Sequence, residues 1–119
     1  MQDFRQLKVW ERAHALTLDV YKMSKAFPRE ELYGLTSQMR RSATSIGSNI
    51  AEGACRGGDS DFARFLQIAF DSASELEYQC LLAGDLQLLS TQDYRHLNEE
   101  TREVIRMLAA LLHRLRADT

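Results

Sequence analysis

Apolar side chains recur every three or four residues in four separate runs along this chain, and that pattern leaves little choice of fold. Val9, Ala13, Leu16, Val20 and Met23 form the first run, which Phe27 continues. Leu35, Met39, Ala43, Ile46 and Ile50 form the second. The third holds Phe62, Phe65, Leu66, Ala69, Ala73, Leu76, Cys80 and Ala83, with Arg64, Gln67, Asp71, Glu75 and Tyr78 on the opposite face. The fourth keeps heptad spacing through Tyr94, Leu97, Thr101, Val104, Leu108, Leu111 and Leu115. Such spacing places each set on one side of an amphipathic helix. Nothing alternates with the period of two that a half-buried strand needs. Four amphipathic helices with short connections make an all-α, antiparallel up-down four-helix bundle in a single domain, because all four stripes need one interior.

The breaks are legible too. Phe27-Pro28 stops a first helix of about Leu7 to Ala26, since the residue before proline avoids the α region. A connector, Pro28 to Leu35, follows. Thr36 is placed to cap a second helix and Gly53 to end it near Glu52. Gly53–Ser60 reads as a loop. Asp59 or Ser60 is placed to cap a third helix, from about Asp61 to Leu88. Ser90-Thr91-Gln92-Asp93 resembles a capping box at the start of the fourth.

Charge separates along the chain. The total is −2, from 15 basic and 17 acidic residues. Residues 59–89 carry six acidic side chains and one basic one, so the third helix is an acidic rod on which nucleic acid has no reason to lie. No uncharged apolar run approaches the roughly 18 residues that cross a bilayer, and the first residues lack a signal-peptide core. A cytoplasmic protein with free thiols at Cys55 and Cys80 is expected, without membrane contact. Cys80 falls in an apolar stripe, and Cys55 in a loop where an exposed thiol can react.

Several segments resemble a known bacterial family. Phe4, Leu7-Lys8-Val9-Trp10 and Ala13 are similar to its opening, and Phe27-Pro28, Glu31, Tyr33-Gly34-Leu35-Thr36, Gln38, Arg40 and Arg41 to its connector and second helix. Ser45-Ile46 and Asn49-Ile50-Ala51-Glu52-Gly53 form the most specific segment; Phe65-Leu66, Ile68-Ala69, Ser72 and Glu75-Leu76-Glu77 resemble the third helix. The family is the four helix bundle protein family, also called the large-subunit ribosomal RNA intervening-sequence protein family. Gly47 stands where relatives usually carry proline, and Asp71 and Ala73 where glycine and leucine are expected. The resemblance implies a bundle that assembles as a homo-oligomeric ring, pentameric in known relatives, with no enzymatic activity attached. A related branch, the accessory variability protein of diversity-generating retroelements, partners a reverse transcriptase and binds nucleic acid. Two functions are therefore expected: a ring-forming scaffold, or an accessory protein working with RNA or a reverse transcriptase. Neither implies a cofactor.

Gln38, Arg41, Ser45, Asn49 and Glu52 recur at helical spacing beside the apolar stripe of the second helix. There a polar row either lines an intersubunit surface or ligand groove, or pairs with the third helix to set register. The first helix has a second set, Leu7, Trp10, His14, Thr17 and Tyr21, which makes its face wider than one core needs. Trp10 and Tyr21 thus either roof the core or join an interface. Arg40, Arg41 and Arg56 are the candidates for nucleic acid. Neighbouring arginines project about 100° apart on a helix, so one patch needs help from another element. Ion pairs to Asp71, Glu75 or Glu77 are the duller alternative.

Other constellations fall short of a chemistry. Glu11 and His14 make one Glu-x-x-His, whereas a di-iron bundle needs two and two further glutamates. Asp71 and Glu75 share a face but have no nucleophile beside them. The Gly-rich loop lacks the lysine and spacing of a P-loop. No catalytic residue, metal ligand or small-molecule substrate is evident from the sequence.

Overall fold

The computed structural model describes residues 2–117. Among these residues there are four long helices and no strand: α1 (Lys8–Ser24), α2 (Ser37–Cys55), α3 (Asp59–Asp85) and α4 (Thr91–Ala117). They form a rod of 45 × 20 × 20 Å, as 27-residue helices rising about 1.5 Å per residue require. α1 packs on α2 and α4, and α3 packs on the same two, so α1 and α3 stand diagonally across the bundle.

The stripes meet as one core. Val9, Ala13, Leu16 and Val20 face Met39, Ala43, Ile46 and Ile50, together with Leu66, Ala69, Ala73, Leu76 and Cys80, all of them buried. Burial pushes the Cys80 thiol up to about 12, against a hydrogen bond with Thr101 that lowers it, so it stays protonated. Cys55 is an exposed free thiol. On α4 the buried set is Leu97, Thr101, Val104, Leu108 and Leu112, while Leu111 and Leu115 are half-buried. A straight helix drifts about 20° per heptad, so the strict seven-residue reading slips off the core after Leu108.

Several boundaries differ from the sequence reading. α1 ends earlier, at Ser24, and Met23 is only half-buried. Thr36 does not cap α2. It has helical backbone angles and closes a π turn, Leu32–Thr36, with its side chain buried. The cap of that turn is Glu31, whose carboxylate accepts the amide of Leu35 at 3.3 Å. Gly53 does not end α2, which runs on to Cys55. A Cβ at Gly53 would sit 2.9 Å from both Phe62 and Phe65, so the glycine serves close packing of α2 on α3. The predicted loop shrinks to Arg56–Gly58, and Gly58 caps α3 without a side chain, in place of Asp59 or Ser60. α3 ends at Asp85. Gln87 then takes φ 62°, while the amide of Leu88 donates to the carbonyl of Ala83 at 2.9 Å, which closes the helix end as a Schellman turn does. The cap of α4 is as expected, with Ser90 Oγ accepting from the amide of Asp93 at 3.0 Å.

Polar links set register between helices. Arg12 donates to Glu100 at 3.1 Å and His96 meets Asp19 at 2.7 Å, both tying α1 to α4. Thr17 Oγ1 donates to the carbonyl of Ala43 at 3.0 Å, tying α1 to α2. No helix among the described residues is long and apolar enough to cross a membrane.

Candidate functional site

The polar row on α2 divides into two parts. Ser45 Oγ lies 2.8 Å from Ser72 Oγ, and the amide of Asn49 donates to Ser45 Oγ at 3.1 Å and to the Ser45 carbonyl at 2.8 Å. One turn earlier, Ser42 Oγ donates to Glu75 at 2.7 Å. Ser42 and Ser45 join α2 to α3 and act in register, while Asn49 bonds only to Ser45 within α2. Gln38 and Arg41 do not reach α3; they are exposed and make no hydrogen bond or ion pair among the described residues. Glu52 is spent on Arg56, the residue just past the end of α2, at 3.0 Å.

The expected ion pairs of Arg40 and Arg41 to α3 are not formed. Asp71 accepts from Gln67, Glu75 from Ser42, and Glu77 pairs with Arg102 on α4. Arg40 turns instead to α1. Its Nε donates to Ser24 Oγ at 2.8 Å, an Nη donates to the carbonyl of Tyr21 at 3.4 Å, and its guanidinium lies 4.8 Å over the Tyr21 ring. α1 thus supplies the help that two divergent arginines need, and Arg40 and Arg41 line one groove of about 650 Å³. Arg56 is not part of it. It sits about 22 Å further along the helix and leans over Phe65 at 5.1 Å.

The groove lies where the connector crosses α2. Leu32 and Tyr33 make one wall with Tyr21, and Thr36, Ser37, Thr44, Ser45 and Ser48 complete the lining with the two arginines. Tyr33 is 94% exposed and Leu32 43%. Thr36 is 3% exposed, and its hydroxyl has no partner. Sequence reasoning missed Leu32, Tyr33 and Ser24 as surface-building residues. Two large apolar side chains inside a short connector were the available signal.

Trp10 is half-buried. Its ring meets Phe4 edge-on at 5.0 Å and stacks on His14 at 4.9 Å. A Cβ at Gly47 would stand 3.6 Å from the indole nitrogen, so Trp10 roofs the seam between α1 and α2. Tyr21, by contrast, is exposed. Among the described residues no three histidine, cysteine, aspartate or glutamate side chains cluster to hold a metal.

An antiparallel bundle with an open polar and aromatic face is the class of molecule this geometry defines. The chain belongs to the 23S rRNA-intervening sequence protein family, whose model matches residues 5–110. Its fold is similar to that of a protein of unknown function from the S23 ribosomal protein family of Bacteroides thetaiotaomicron. The two share 25% identity and a TM-score of 0.82, over 88% of this chain and 95% of that one. No curated protein matches the chain.

Proposed function

We propose that this protein is a non-enzymatic scaffold that self-associates into a closed ring and presents the ring to other macromolecules. The observation that carries this reading is the distribution of exposed apolar side chains. Leu18 is exposed on α1, outside the groove of Arg40 and Arg41. Ile68, Tyr78 and Leu81 are exposed on α3. α1 and α3 are diagonal in the bundle, so these exposed side chains stand on two separate helices and not in one patch. Unlike apolar surfaces on separate helices suit head-to-tail contacts, which close into rings when the rotation permits.

Native mass spectrometry tests this. The wild-type protein, purified without nuclease, is expected as a discrete multimer near five subunits. Leu18→Lys and Tyr78→Glu each place a charge on one of these surfaces and are expected to give smaller species. A monomeric wild type, or variants that keep the full mass, would contradict it. Trp10→Ala tests whether the seam of α1 and α2 takes part, and Asn49→Asp whether the polar row of α2 does. The alternative, an accessory protein for RNA or a reverse transcriptase, draws support from Arg40 and Arg41 in one groove. It predicts bound nucleic-acid mass that salt removes.

A further inference from the structure

We infer that the groove of Arg40 and Arg41 is a binding site for a small phosphate monoester carried on a planar ring, a ligand of nucleoside monophosphate size. Its volume, about 650 Å³, falls within the usual range for small-molecule sites. No carboxylate lines it, whereas two guanidiniums do. Six of the twelve arginines, Arg5, Arg12, Arg56, Arg64, Arg102 and Arg106, sit on acidic partners. Arg41 has none.

Arg40 is held ready for an anion. A guanidinium has five N–H donors, and Ser24 and Tyr21 engage only two of them. The remaining fork is fixed in place before any ligand arrives, which lowers the entropy cost of a bidentate contact. The hydroxyls of Ser37 and Ser48 also line the groove without hydrogen-bond partners among the described residues.

A second, independent feature points the same way. A buried hydroxyl without a partner costs free energy, and such groups are rare in folded proteins. Thr36 Oγ1 is one, and Thr36 lines this groove. Its Oγ1 is closed to solvent as it stands, so a ligand oxygen gives it a partner once the Thr36 side chain rotates toward the groove. The ring is argued from Tyr33, almost wholly exposed at the groove wall. Tyr21, with Arg40 already stacked on it, adds a second aromatic surface. Planar rings stack on such surfaces.

Isothermal titration calorimetry of the protein as purified tests this, with adenosine 5′-monophosphate as the probe. Adenosine supplies the ring alone, inorganic phosphate the anion alone, and a short single-stranded oligoribonucleotide the phosphodiester alternative. The monophosphate is expected to bind at one site per chain, tighter than any of the other three. Arg41→Ala is expected to weaken it by about tenfold or more, as loss of a charged hydrogen bond does. Thr36→Val keeps shape and fold but removes the hydroxyl, and is expected to weaken it less. Arg95→Ala, an exposed arginine on α4, is expected to leave it unchanged. No binding of the monophosphate, equal binding by Arg41→Ala, or binding of the oligoribonucleotide alone would each overturn the assignment.

Discussion

At the scale of the residue, two positions carry stability in opposite senses. Gly53 lies inside α2, where alanine is ordinarily the better helix former by about 1 kcal/mol. Here an added methyl would meet Phe62 and Phe65 at 2.9 Å, and overpacking of that kind costs roughly 1–3 kcal/mol. Gly53→Ala is therefore expected to destabilise. Gln87 holds a left-handed backbone angle that favours glycine, at a cost of about 1 kcal/mol for an L side chain. Gln87→Gly is expected to stabilise by about 0.5–1 kcal/mol. Urea unfolding of both variants checks the pair, and like signs would contradict it. Both residues show where reading by composition slips. A glycine was taken for a helix end because it lacks a side chain, and the actual left-handed terminus holds glutamine, which no sequence rule marks.

At the scale of the element, α4 is tied to α1 by exposed charged groups. The Asp19 carboxylate raises the pKa of His96 above its usual value, chiefly through their hydrogen bond, with Glu100 and Glu99 adding attraction. The contribution to stability is therefore complete below the ordinary histidine value. It is lost as pH rises through the raised one. Because the pair is exposed, less than about 1 kcal/mol is at stake. The melting-temperature difference between wild type and His96→Gln is expected to shrink from acid to alkaline pH. A difference that does not vary with pH would remove the bridge from the account. On α2 the spacing of the polar row was readable, but the division of labour was not. Ser45 falls to α3 because Ser72 stands opposite, Asn49 folds back on Ser45, and Gln38 and Arg41 find no counterpart.

At the scale of the whole molecule, one core joins all four helices, so unfolding is expected to be a single transition. The lone tryptophan, Trp10, roofs the seam of α1 and α2, and its fluorescence should change at the same urea concentration as the helical circular dichroism. Separate midpoints would mean that this seam opens first. The helix count, the core-facing stripes and the antiparallel bundle were determined by the sequence alone, because burial of apolar surface follows a 3.6-residue period that any reader can count. Nearest-neighbour geometry was not. Adjacent arginines diverge on a helix, and no spacing rule states that Ser24 and Tyr21 on another helix will hold Arg40 at a groove that Arg41 also lines. That the groove exists, that it lacks carboxylates, and that Thr36 lies on its lining with an unpaired hydroxyl were decided by tertiary structure, since such contacts join residues far apart in the chain.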